Sequence, residues 1–330
     1  MVPVIPRTRA KWSFKTSPSI AAEKPCTPLS FLSLRLHMYH IVFGLLYILS
    51  LLPLRVLYLL SDFSFLIIYY VWGYRKDIVM QNLTYAFPSK PEEERKRIAR
   101  RFYRNLIDSF IESIKFISAS DNFFRKHYLG NAEIFVPLYN SGRKCEILLA
   151  HNFNWELANL AMPLLSPYQV LTVYMPLRNK IFDRLFIHIR SRTGAKMLAA
   201  TRMSRELIPY RHQQYLMGLV ADQNPGNPAN AYWFNFFGKP TPFVKGPEKN
   251  ARANNAAVVF CYFTKRKRGY YQSHFELAEM EPLSLPEKEL TRSYVQYLEK
   301  VVTADPEMWL WSHRRWKHEW RPEYGPVGDQ

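Results

Sequence analysis

Four short apolar runs, at 146–150, 169–174, 215–221 and 257–263, alternate with stretches of helical spacing, notably 180–192 and 247–256. Runs of five to seven residues bounded by polar turns suit buried strands better than helices, which need about 10–12 residues. Parallel neighbours need a long crossover between them, and intervening helices supply it. The alternation therefore predicts an α/β fold with a central, mainly parallel or mixed sheet flanked by helices. At 330 residues, one large domain of this kind can bury a substantial core.

Ahead of these runs, residues 1–37 carry five prolines, several serines and six Lys/Arg against the single acid Glu23. They read as a basic disordered tail, and Met38, just ahead of the first ordered-looking segment, is a candidate for the true start of the protein. From Ile41 to Trp72 the chain is nearly all apolar, interrupted by Pro53 and Arg55, so neither half reaches the ~20 clean residues of a simple span. Two helices dipping into one leaflet and one imperfect span fit equally, with a buried hydrophobic hairpin as the alternative. Residues 38–73 are thus read as a membrane-anchoring segment. The basic stretch Gly73–Lys76 favours a cytoplasmic side for the chain beyond it.

Two long helices are expected. Ser89 with Glu92 forms a capping-box pattern, and Ile98, Phe102, Leu106, Phe110, Ile114 and Ile117 recur at helical spacing to Ile117. Arg97, Arg100, Arg101 and Arg104 fall mostly on the opposite face. A second helix is expected from Pro306 to Trp320, capped by Asp305, with Trp309, His313, Trp316 and Trp320 on one face.

Lys and Arg outnumber Asp and Glu by 45 to 27, a net charge of +18. So large an excess attracts polyanions. No nucleic-acid-binding signature accompanies it, and the charge travels with a long apolar segment, so an anionic membrane surface is the favoured partner and nucleic acid is not. Cys26, Cys145 and Cys261 are widely spaced, without a CxxC pair, and read as free thiols, the latter two in the core. No HExxH or Cys/His cluster has ligand spacing, so neither metal nor cofactor is expected.

The strand 146–150 runs directly into His151-Asn152-Phe153-Asn154-Trp155-Glu156. His151 then stands at the carboxyl end of a strand, where α/β folds place their sites. Asn154 can cap the next helix, with Glu156 in its first turn. In one continuous helix His151 and Glu156 would lie ~140° apart; they meet only across a turn, which Asn152–Asn154 can supply. A carboxylate in reach would fix the imidazole tautomer, making the two a candidate general-base pair. The plain alternative is a satisfied strand-end histidine.

Five blocks in order resemble the lipid A late acyltransferase family, a branch of the lysophospholipid acyltransferase superfamily. They are Tyr74-Arg75 through Asn82-Leu83 to Phe87-Pro88; His151–Glu156, which matches the family's H-x4-(D/E) motif; Tyr174-Met175-Pro176 through Asn179 and Asp183 to Arg190 and Gly194; Asp222-Gln223 with Phe237-Gly238; and Pro306–Trp309 through Trp311–Lys317. The resemblance implies a glycerolipid acyltransferase-like fold over residues 74–330 and transfer of a fatty acyl chain from acyl carrier protein to a hydroxyl of a lipid A precursor. It implies an inner-membrane enzyme with its catalytic domain on the cytoplasmic side. On this likeness His151 is the base, Glu156 orients it, Arg190 stabilises the oxyanion or holds a phosphate, and Asp222 supports the arrangement. An ordinary surface arginine and a turn cap are the alternatives for Arg190 and Asp222. Many family members read Tyr-Arg-Pro where this chain has Tyr174-Met175-Pro176, and Arg178 is the nearby candidate for the missing charge. Transfer to another acceptor lipid, and a non-catalytic membrane-binding role, are the competing functions.

Overall fold

The four apolar runs become four strands of one sheet. The computed structural model describes residues 29–328, with side chains from His37 onward. Its strands are β1 (Tyr128–Gly130), β2 (Cys145–Leu149), β3 (Gln169–Tyr174), β4 (Lys196–Ala199), β5 (Tyr215–Val220), β6 (Ala231–Phe236), β7 (Lys239–Val244), β8 (Ala257–Lys267) and β9 (Tyr270–Glu279). Seven of them order as β1-β9-β8-β2-β5-β3-β4, while β6 and β7 form a separate hairpin. Pairing within the larger sheet is parallel except between β8 and β9. The central mixed sheet is as expected; β9 escaped notice because its alternation of polar and apolar residues carries no continuous apolar run.

The helices are α1 (Leu29–Leu51), α2 (Leu54–Leu66), α3 (Lys76–Ala86), α4 (Glu92–Lys115), α5 (Asp121–His127), α6 (Phe135–Asn140), α7 (Trp155–Leu165), α8 (Lys180–Ser191), α9 (Met203–Glu206), α10 (Gly246–Asn254) and α11 (Glu289–Ala304). Helices α8 and α10 lie where their spacing put them. Helix α4 buries Ile98, Phe102 and Leu106, each stabilising by roughly 1.5–3 kcal/mol, and leaves its arginines largely on the outer face. Cys145 and Cys261 are buried free thiols.

Three expectations are corrected. The tail boundary at 37 is too late, because α1 starts at Leu29; the remainder of that segment lies outside the described residues. Helix α4 starts at Glu92 rather than Ser89, and no capping box forms. Pro91 takes φ −55° and ψ 151° as the cap residue, and a residue before proline is pushed out of the helical region. No helix runs from Pro306 to Trp320. One short 3-10 turn, Pro306–Met308, is followed by irregular chain, and the helix of this region is α11. The backbone there is claimed by distant groups. Asn82 donates to the carbonyls of Trp311 and His313 at 2.8 and 2.7 Å, and Arg75 to that of Ser312 at 3.0 Å. These bonds replace the ladder a helix would have made.

Pro53 separates α1 from α2, and π-helical Ile67–Trp72 continues α2. Leu54–Trp72 is long and apolar enough to cross a membrane. This region is not a buried hairpin: Leu59 is 69% exposed, Val71 82% and Trp72 70%. An apolar face this wide marks contact with something other than water.

Candidate active site

Parallel pairing in register brings the key residues together. Leu149 of β2 lies opposite Val220 of β5, and the Ala221 amide donates to the Leu149 carbonyl at 3.0 Å. Two residues beyond each strand end stand His151 and Asp222. The Asp222 Oδ1 lies 2.6 Å from His151 Nδ1, and Oδ2 accepts from the His151 backbone N–H at 3.0 Å. Trp309 Nε1 donates to the same Oδ2 at 2.7 Å. Burial pushes the Asp222 carboxyl up, but its interaction with His151 and the hydrogen bonds from His151 and Trp309 hold it below the usual carboxylate range. With Nδ1–H on Asp222, the second ring nitrogen keeps its lone pair; the Gln223 amide nitrogen sits 3.2 Å from it.

Glu156 is not the partner of His151. Asn154 caps α7 as expected, its Oδ1 accepting from the N–H groups of Glu156 and Leu157 at 3.0 and 3.2 Å. That cap turns Glu156 toward Arg190 in the last turn of α8. Arg190 Nε donates to Glu156 Oε2 at 2.8 Å, and Nη2 to Oε1, in a two-pronged ion pair. Trp155 Nε1 adds a bond to Glu156 Oε1 at 3.1 Å. Both nitrogens of the His151 ring are engaged elsewhere, so the carboxylate that fixes it is Asp222.

The irregular C-terminal segment walls the loop that carries Asp222. The Phe153 N–H donates to the Met308 carbonyl at 3.0 Å, and Asn152 bridges to Trp309. Arg315, fully buried, donates to Asn224 Oδ1 at 3.0 Å. His313 Nε2 accepts from the Asn224 backbone N–H at 3.3 Å; burial pulls its imidazole down to about 4, which keeps it neutral and able to accept. The first and fifth sequence blocks thus clasp each other, and the fifth holds the fourth.

His151, Glu156, Arg190, Gln223 and Asn224 line a cavity of about 640 Å³. Its other walls are largely apolar, reaching Tyr128, Ile147, Leu216, Cys261 and Phe275 under the sheet. The structure therefore gathers His151, Glu156, Arg190 and Asp222 in one place. Arg178 stands apart from them: it is exposed in the loop after β3 and does not line the cavity, whereas Met175 and Leu177 do. Trp309, one of the aromatic residues of the fifth block, is buried, and its indole N–H needs an acceptor, which Asp222 supplies.

Fold and family together make this chain an acyltransferase. The model of the family described as bacterial lipid A biosynthesis acyltransferase matches residues 27–318, and the chain belongs to that family. It is similar to the lipid A biosynthesis palmitoleoyltransferase of Escherichia coli (strain K12), at 22% identity over 256 residues, 77% of this chain and 81% of the relative. A lipid A biosynthesis acyltransferase of Haemophilus influenzae is 21% identical over 242 residues, covering 70% of this chain and 72% of its own length.

Proposed function

We propose that the enzyme moves a fatty acyl chain from the thioester of acyl carrier protein to a hydroxyl of a lipid A precursor, with His151 as general base. The observation that carries this reading is His151, held through Nδ1 by Asp222, on the wall of a largely apolar cavity. A lipid hydroxyl is too weak an acid to ionise near pH 7, so a base must take its proton during attack. The acceptor hydroxyl takes the position of the Gln223 amide beside Nε2. Its proton passes to Nε2 as its oxygen bonds the thioester carbonyl carbon. Asp222 stabilises the imidazolium. Collapse of the tetrahedral intermediate breaks the C–S bond, and the imidazolium returns the proton to sulfur, giving an ester and a free thiol without an acyl-enzyme. Arg190 keeps Nη1 outside its bonds to Glu156, and that nitrogen meets the oxyanion or a phosphate. Glu156 acts by holding Arg190.

The exposed apolar faces of α1 and α2 support membrane anchoring, and Arg75 and Lys76 just after Trp72 favour the cytoplasmic side of the inner membrane. The +18 charge suits an acidic carrier protein as well as anionic lipid.

The test is transfer of a labelled acyl group to a lipid A precursor from carrier-protein and coenzyme A thioesters, with mass spectrometry of lipid A from a strain lacking the gene. The expected results are faster transfer from the carrier protein, falling with salt, and lipid A lacking an acyl chain. Equal rates at low salt would remove the donor assignment. An unchanged acyl count would redirect the enzyme to another acceptor lipid.

A further inference from the structure

Glu112 of α4 is 2% exposed and lies outside the catalytic group, yet three elements converge on it. Tyr58 of α2 donates to Oε1 at 2.7 Å. Tyr271 of β9 and the side-chain amide of Asn154 both donate to Oε2, at 2.8 Å each. Asn154, fully buried, spends its other end on the first turn of α7, the turn that carries Glu156. A side-chain amide has one accepting and one donating end. Only an acceptor opposite its NH2 keeps its oxygen aimed at α7, and Glu112 is that acceptor. Helix α2 is seated closely here: a Cβ on Gly269, in the β8–β9 turn, would collide with the Tyr58 hydroxyl and stand 3.1 Å from Leu54.

We propose that Glu112 is a positioning residue for acyl transfer, and that through Tyr58 it makes the seating of α2, the helix with the exposed apolar face, part of the geometry of the active site. This rests on the reading of His151, Glu156 and Arg190 as the catalytic group. The route is short: Tyr58, Glu112, Asn154, then the helix turn that aims Glu156 at Arg190. A neighbouring contact provides a control. Ser61 of α2 donates to Asp108 of α4 at 2.7 Å, joining the same two helices with no bond to Asn154.

The experiment uses the full chain in detergent micelles, measuring kcat, KM for the acyl donor and thermal melting. Tyr58→Phe should lower kcat about 3–10-fold, the scale of one hydrogen bond, with KM unchanged. Ser61→Ala should lower the melting temperature comparably while kcat stays within about twofold. Glu112→Gln keeps an acceptor for Asn154 and should retain more than about a third of parental kcat, whereas Glu112→Leu should retain less than about a tenth. Parental kcat in Tyr58→Phe overturns the proposal. So does a kcat loss in Ser61→Ala equal to that in Tyr58→Phe, or equal losses in the two Glu112 variants, which would also decide the matter if Tyr58→Phe did not fold. His151→Ala is assayed alongside. An active His151→Ala would overturn the catalytic reading itself; an inactive one beside a parental Tyr58→Phe would overturn the positioning role alone.

Discussion

Asp222 grips His151 twice, through the ring Nδ1 at 2.6 Å and through the backbone N–H at 3.0 Å. Ring and main chain are fixed by one carboxylate, so the second ring nitrogen is aimed into the cavity. Asp222→Asn should cost on the order of 10²–10⁴ in kcat, because an amide can present its NH2 to Nδ1 and reverse the tautomer. His151→Ala should lose a similar factor. Steady-state transfer of a labelled acyl group, with melting curves to verify folding, measures both. Near-parental turnover in a folded His151→Ala protein would leave the mechanism without a base.

The ion pair between Glu156 and Arg190 predicts a separation of stability from activity. The side chains are 7% and 22% exposed. Arg190→Met leaves a carboxylate buried without its partner, a cost of about 3–5 kcal/mol, toward the lower end because Arg190 keeps some solvent. Adding Glu156→Gln should restore most of that stability and none of the activity. Urea unfolding and transfer rates on single and double variants test this; recovery of both together would make the pair purely structural.

Gly218 of β5 lines the cavity, and a Cβ there would meet only the Leu171 carbonyl oxygen, at 4.0 Å. A larger side chain can therefore enter the cavity without breaking the strand. If the cavity holds the acyl chain, Gly218→Leu should shift donor preference toward shorter chains while leaving the fold intact. A panel of donors from about ten to about sixteen carbons, stepping about 1.3 Å per carbon along an extended chain by ordinary covalent geometry, reads the shift. An unchanged profile would place the acyl chain elsewhere.

Glu146 sits in the central strand β2 with its Oε2 unpartnered and its other oxygen bonded by Asn250. Burial raises its carboxyl from 4.5 to about 8. The folded protein then binds a proton that the unfolded chain releases. This group's contribution is intact below about pH 4.5 and is lost progressively as pH rises to about 8. Glu146→Gln should raise the melting temperature at pH 8 and flatten its decline over that window. A variant that melts lower than the parent at pH 8 would show that the ionised form is stabilised in the fold.

Much of this enzyme could be read along the chain because it is local. Strand runs, the α8 and α10 spacings, the Asn154 cap and the placing of His151 at a strand end each depend on a few neighbouring residues and on backbone periodicity. The fifth block looked helical by the same local rules, but Arg75 and Asn82 claim its carbonyls, from more than 200 residues away in sequence. Pairing of the catalytic group was also beyond local rules. His151 and Glu156 are near in sequence, yet the cap that shapes α7 turns Glu156 to Arg190. The parallel register of β2 and β5 delivers Asp222 across 71 residues. The sequence by itself determined which side chains are available and which strand ends present them; tertiary structure decided who partners whom, because hydrogen bonds between side chains are set by strand register and helix seating rather than by distance along the chain.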